Sequence, residues 1–171
     1  EFAALAVQNG CSVYAATRSP QKAQELRDRG ISPIVYDWLN PKREPSLPEV
    51  DSLLISVSHA AVESVPPNET HVRGLRNLFA SRTDWFEKAV YLSTTGVFAS
   101  QGAGEWVDES SPTGPKRPGS IAALSAENWL NEHLPSSKRT ILRLAGIYGP
   151  NRIPNIERLR NRLPMETDPN A

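Results

Sequence analysis

Apolar and polar positions along the chain alternate between short apolar runs and longer stretches of helical period. Ser12 to Thr17 (Ser-Val-Tyr-Ala-Ala-Thr) is mostly apolar, which suits a buried strand. Ile31–Asp37, Asp51–Ser58, Lys88–Thr94 and Arg139–Leu144 repeat that pattern. Residues 1–8 read as the end of a helix stopped by Asn9-Gly10. Ser19-Pro20 gives an N-cap followed by proline at the first helical position, and Gly30 closes that helix. Pro66-Pro67-Asn68 opens a helix to about Ser81, with Val72, Leu75, Leu78 and Phe79 on one face. Ser120 is expected to cap a helix running to about His133, and residues 155–163 predict a short final helix. Residues 38–50 and 99–119 read as loops.

Strands alternating with amphipathic helices indicate an α/β domain with a doubly wound parallel sheet. In such sheets ligands sit outside the carboxyl ends of the strands. The candidate site residues therefore follow each strand: Thr17-Arg18-Ser19, Asp37-Trp38, Ser56-Val57-Ser58-His59, Ser93-Thr94-Thr95-Gly96 and Ala145-Gly146-Ile147-Tyr148.

Composition narrows the chemistry. The 171 residues amount to about one domain, and 39% hydrophobic residues suffice for a core. Lys plus Arg and Asp plus Glu both total 19, which removes the electrostatic case for a nucleic-acid binder. One Cys excludes a disulfide framework, and three scattered His argue against a metal site. Cys11 is expected to be a small buried apolar residue, and His59 a solvated loop histidine. No apolar run reaches the roughly 18 residues of a membrane span, and the N-terminus has no basic leader. A soluble cytoplasmic protein is the expectation. The 15 prolines fall mostly between the periodic segments, as rigid loop punctuation. No Gly-x-Ser-x-Gly elbow surrounds Ser93 and no P-loop motif occurs, so esterase and P-loop kinase chemistry lack their residues. Arg152, Arg158, Arg160 and Arg162 are interrupted by Glu157 and by apolar residues, as on an amphipathic surface helix.

Three blocks carry a family resemblance: Tyr91-Leu-Ser-Thr-Thr-Gly-Val-Phe98, then Gly104-Glu-Trp-Val-Asp-Glu109 with Ser111-Pro112, then Leu142-Arg-Leu-Ala-Gly-Ile-Tyr-Gly-Pro150. In order and spacing they resemble the extended short-chain dehydrogenase/reductase superfamily, nearest its atypical nucleoside-diphosphate-sugar epimerase/dehydratase-like members. The resemblance runs from residue 1 to about 160 and implies a Rossmann domain over 1–150 that binds NAD or NADP. Residues 151–171 would then start a substrate-binding part. It implies an oxidoreductase acting on a sugar nucleotide or small carbonyl compound. The alternative is a non-catalytic NADP-binding or redox-sensing module. The expected partners are a dinucleotide and a small molecule, without nucleic acid or membrane.

The resemblance also assigns residues. Arg18 stands where NAD-preferring Rossmann proteins usually carry an acidic residue for the ribose. Thr17-Arg18-Ser19 offers a guanidinium and two hydroxyls instead, which suits the 2′-phosphate of NADP. Asp37 resembles the family's adenine-contacting aspartate, with Trp38 beside it. Ser56, Val57, Ser58 and Ala145 complete the expected cofactor contacts. Ser93 and Thr94 occupy the catalytic Ser/Thr region, Thr94 matching the residue that orients the substrate. Tyr148 resembles a structural tyrosine near the nicotinamide and is expected to be a packed aromatic.

One departure stands out. Typical members carry Tyr-x-x-x-Lys on the helix after the long loop, with a Glu four residues beyond. The tyrosine serves as general acid/base, and the lysine lowers its pKa. Aligning that Glu with Glu127 leaves Ala123 at the lysine position and Gly119 at the tyrosine position. Lys116 and Arg117 precede the helix without matching either spacing. The family fold further places a central strand and Gly-rich turn just before residue 1, between the strands at Ser12–Thr17 and Asp51–Ser58. Those two strands are therefore not expected to pair.

Overall fold

A computed structural model of the chain describes residues 2–41, 46–59, 65–80, 82–99, 105–149, 153 and 156–163. Gly104, Pro150 and Arg152 lie outside the described residues. The elements are α1 (Phe2–Gln8), β1 (Tyr14–Thr17), α2 (Pro20–Arg27), β2 (Ser32–Val35), β3 (Val50–Ile55) and α3 (Pro67–Leu78). β4 (Phe86–Thr94), a 3₁₀ turn (Thr95–Val97), α4 (Pro118–His133), β5 (Arg139–Leu144) and α5 (Ile156–Arg160) complete the order.

Gly10 and Gly30 adopt φ of 82° and 72°, the left-handed stop that needs no Cβ, and each ends its helix as expected. Ser19 caps α2, its hydroxyl accepting from Lys22 N at 3.3 Å. α4 departs from the expectation. It begins at Pro118 with Arg117 at the N-cap, because proline's fixed φ suits the first turn and its missing N–H is no loss there. Ser120 therefore lies inside the first turn, buried against Gly96. Cys11 is exposed, since it follows the turn at Gly10 and precedes β1.

All strand pairings are parallel, in two groups: β1–β2, and β3–β4–β5. β1 and β3 do not pair, as expected for a doubly wound sheet whose intervening strand is not among these residues. In β4 the alternation is plain. Ala89, Tyr91 and Ser93 are buried, whereas Val90, Leu92 and Thr94 are half-buried on the other face. α3 and α4 cover the buried face. Leu75 and Phe79 from one side meet Ala126, Trp129 and Leu130 from the other, over Ile55, Phe86 and Tyr91. Phe79 and Trp129 stack with ring centroids 5.7 Å apart.

The β1–β2 unit docks on this layer through Trp38. Asn77 Nδ2 donates to Trp38 O at 2.7 Å, and Arg73 donates to Asn40 Oδ1 at 2.9 Å. Gly74 lets α3 approach the indole so closely that a Cβ there would stand 2.3 Å from ring carbons of Trp38. A rigid ring cannot yield by that much. Gly74→Ala is expected to lower stability by about 1–2 kcal/mol net of its gain in helix propensity, or roughly 2–8 °C in Tm. A thermal melt equal to that of the unmodified protein would show that Trp38 does not fix this junction.

Candidate functional site

Within each parallel group the strands run the same way, so the residues singled out above follow carboxyl ends that share one edge of β1–β2 or one edge of β3–β4–β5. Thr17 ends β1 and its Oγ1 accepts from Ser19 N at 3.2 Å, tightening the turn into α2. Ser19's hydroxyl also donates to Gln21 Oε1 at 2.9 Å, so its capping role occupies the oxygen. Arg18 between them is exposed, with no hydrogen bond or ion pair among the described residues. Asp37 accepts from Leu39 N at 3.0 Å and Asn40 N at 3.4 Å, which shapes the exit from β2. Ser56, Val57 and Ser58 are exposed directly after β3, as is Ala145 after β5. Tyr148 is exposed rather than packed, at 79% of its surface.

Ser93 and Thr94 face opposite ways, because neighbouring strand residues point to opposite faces. Thr94 Oγ1 accepts from Gly96 N at 3.2 Å and fixes the 3₁₀ turn at the strand's end. Ser93 is buried and its hydroxyl donates to Glu127 of α4. Arg143, the partner of Ser93 in the β4–β5 register, reaches the same carboxylate. Its Nη2 donates to Glu127 Oε2 at 2.7 Å and its Nε lies 3.1 and 3.2 Å from the two oxygens. The guanidinium also lies 4.8 Å from the Phe98 ring centroid. Hydrogen bonding to Glu127 raises the Arg143 pKa further. This network of buried Ser93 and Glu127 with half-buried Arg143 ties α4 to the ends of β4 and β5.

A second cluster lies one layer deeper. Tyr91 is buried, and its hydroxyl is 2.9 Å from Nδ1 of His71 on α3. Burial, then the Glu127 charge, raises the Tyr91 pKa well above that of an ordinary phenol. Burial, then the neighbouring His59, lowers His71 to about 4. The His59 and His71 ring centroids are 6.1 Å apart. Trp38 sits over His71 at 5.6 Å. His59 is half-buried, not a solvated loop residue, and its side chain lies against Gly119, where a Cβ would meet His59 Cβ at 3.4 Å.

Sequence reasoning found the strand ends and placed Glu127, but missed Arg143 and the His71–Tyr91 pair. Polar residues inside an otherwise apolar helix face or strand were the available signal.

No family model matches the chain, and no curated protein matches it. Solved structures do. A conserved protein of unknown function from Silicibacter pomeroyi DSS is 30% identical, over 91% of this chain and 51% of that one, with a TM-score of 0.68. A protein from Methylobacillus flagellatus, assigned as an NAD-dependent epimerase/dehydratase, is 25% identical over 94% and 54%, with a TM-score of 0.61. In fold and sequence the chain is thus similar to a protein assigned as an NAD-dependent epimerase/dehydratase. A third match is the UDP-glucuronic acid 4-epimerase from Bacillus cereus in complex with NAD. It shares 19% identity over 95% of this chain and 60% of that one, with a TM-score of 0.63, and so bears on the fold alone. The chain spans about half the length of the structures it matches. The Thr17–Ser19 turn, with Arg18 exposed, and the Thr94–Gly96 turn end strands on either side of the β1/β3 discontinuity. No described helix is long and apolar enough to cross a membrane.

Proposed function

We propose that the chain forms the greater part of a nicotinamide-dinucleotide site and that the protein is an oxidoreductase of epimerase/dehydratase type. Its substrate would be a sugar nucleotide or small carbonyl compound. The observation that carries the cofactor reading is Arg18: an exposed guanidinium without a partner among the described residues, in a turn without any carboxylate. Such a turn fits a 2′-phosphate, so NADP is preferred over NAD. Asp37 and Trp38 lie at the adenine side, and Ser56, Val57, Ser58 and Ala145 offer exposed backbone at the strand ends along the dinucleotide. When bound, the dinucleotide supplies hydride transfer. The chain's residues bind and orient. Thr94 presents its hydroxyl to the substrate, while Ser93, held by Glu127, keeps the end of β4 in place.

Gly119 and Ala123 supply neither the phenol nor the ammonium of typical members, and Ala123 is buried in α4. This is the support for a non-catalytic module. The likeness to a protein assigned as an epimerase/dehydratase favours the oxidoreductase reading.

Arg18→Ala is expected to weaken NADP binding roughly tenfold to a hundredfold, the worth of one hydrogen-bonded charge pair. NAD binding should be almost unchanged, and the NADP preference should shrink at high salt. Calorimetric titration of both dinucleotides against both proteins makes the test. Equal losses for NAD and NADP would mean that Arg18 shapes the turn instead of reading the phosphate.

A further inference from the structure

Gly119 leaves the tyrosine position of α4 without a phenol, and the side chain packed against that position is His59. A Cβ on Gly119 would stand 3.4 Å from His59 Cβ, and 3.8 and 3.9 Å from Cγ and Cδ2 of its ring. The imidazole thus borders the volume that a side chain at 119 would enter. Next along α4, Ser120 approaches Gly96 so closely that a Cβ there would meet Ser120 Oγ at 2.5 Å and Thr94 Oγ1 at 3.5 Å. His59, Gly119, Ser120, Gly96 and Thr94 therefore form one row of contacts at the carboxyl edge of β3 and β4. Ser120 is buried and two of the five are glycines, so the groups this row offers to a ligand are the His59 ring and the Thr94 hydroxyl.

Nearby groups suit a proton acceptor less well. Tyr91 is buried, with its pKa raised, the wrong direction for a base. His71 is 4% exposed. His59 is half-buried, and its Nδ1 is the nitrogen turned inward. Its Nε2 has neither that burial nor a hydrogen-bond partner among the described residues, which leaves it for a substrate to meet. A phenol needs a lysine to lower its pKa, whereas an imidazole changes protonation near neutral pH unaided. A histidine base here accounts for the absence of both groups, at Gly119 and at Ala123.

We propose that His59 is the catalytic acid/base of this site, its Nε2 taking the place of the phenol absent at 119 while Thr94 orients the substrate hydroxyl. The assignment rests on the oxidoreductase reading. In the oxidative direction the alcohol O–H bond breaks and its proton passes to Nε2. The carbinol C–H bond breaks as well, its hydrogen leaving with both electrons to an oxidised nicotinamide, and the C–O bond becomes C=O. The imidazolium returns the proton when the carbonyl is reduced. His71 faces the His59 ring from α3, with centroids 6.1 Å apart, and α4 faces it with the uncharged Gly119.

The test uses the full-length protein with oxidised NADP and with NADPH, which differ by one positive charge on the nicotinamide. Beside that charge His59 resists a proton. Its ring ¹⁵N resonances should therefore titrate at a pH lower by roughly half a unit in the oxidised NADP complex than in the NADPH complex. By reciprocity, the affinity for oxidised NADP relative to NADPH should fall roughly threefold from pH 8 to pH 5.5, and Arg18 and the 2′-phosphate, common to both complexes, cancel. His59→Gln should make that ratio independent of pH, and should slow the reduction of NADP by UDP-glucose, the turnover probe, by about 10²–10⁴-fold. Because His59→Gln alters packing against Gly119, the resonances of the unmodified protein supply a measurement that needs no variant. Equal titration of His59 in the two complexes overturns the assignment, and so does UDP-glucose turnover unchanged in His59→Gln. Failure to bind either NADP or NAD overturns the oxidoreductase reading itself.

Discussion

Glu127→Ala is expected to remove about 3–5 kcal/mol of stability, the range for a buried ion pair stripped of one partner. Glu127 is 2% exposed and accepts from Ser93 and, through both oxygens, from Arg143. Without it, the half-buried Arg143 guanidinium keeps, among the described residues, Glu109 O at 3.4 Å and the Phe98 ring. Ser93 loses its acceptor as well. Folded domains have roughly 5–15 kcal/mol in hand, so the loss should be visible as a Tm lower by roughly 6–20 °C. Glu127→Gln keeps the shape and one acceptor oxygen, and should cost less, about 1–3 kcal/mol. In a double-mutant cycle with Arg143→Met, the two losses should be far from additive, since the second change removes the stranded charge. Urea denaturation of the four proteins decides it. A loss below about 1 kcal/mol in Glu127→Ala would mean that Arg143 simply swings into water, because its side chain retains 20% exposure.

The same network shows what the sequence does and does not disclose. Local signals carry the helix stops at Gly10 and Gly30, the cap at Ser19 and the strand of period two at Ala89, Tyr91 and Ser93, because each depends on neighbours in the chain. The sequence sets the cap of α4 at Ser120, three residues past the observed cap Arg117, since Ser120 and Pro118 both carry start signals and the proline suits the first turn. Ser93 and Glu127 are 34 positions apart, and His71 and Tyr91 are 20 apart. No period relates such pairs. They meet because α3 and α4 lie on the same face of β4, which is a property of the fold. Glu127 was placed only through the family resemblance, and nothing in its spacing pointed to Arg143. Tyr148 was expected to pack and is exposed, because packing depends on partners that a motif does not specify.

His71 should make stability depend on pH in a window set by its own titration. Its pKa is lowered from 6.5 in an ordinary setting to about 4, first by burial and then by the neighbouring His59. The groups facing the ring are His59 beyond β3, Tyr91 on β4 and the uncharged Trp38 after β2. A depressed pKa means that the folded protein resists a proton that the unfolded chain takes up. The unfolded state therefore binds more protons below about pH 6.5, and stability falls as pH drops. The contribution is complete above pH 6.5, is lost progressively towards pH 4, and changes no further below that. The shift corresponds to about 3 kcal/mol over the window. His71→Phe should flatten the curve across the window. It starts from a lower stability at pH 7, since the Tyr91 hydroxyl loses its partner at about 1–3 kcal/mol. Urea denaturation of both proteins at pH 7, 6, 5 and 4 provides the comparison, in which carboxylates common to both cancel. The difference between the two should shrink as pH falls. Parallel curves across that range would show that the His71 ring takes up its proton without opposing the fold.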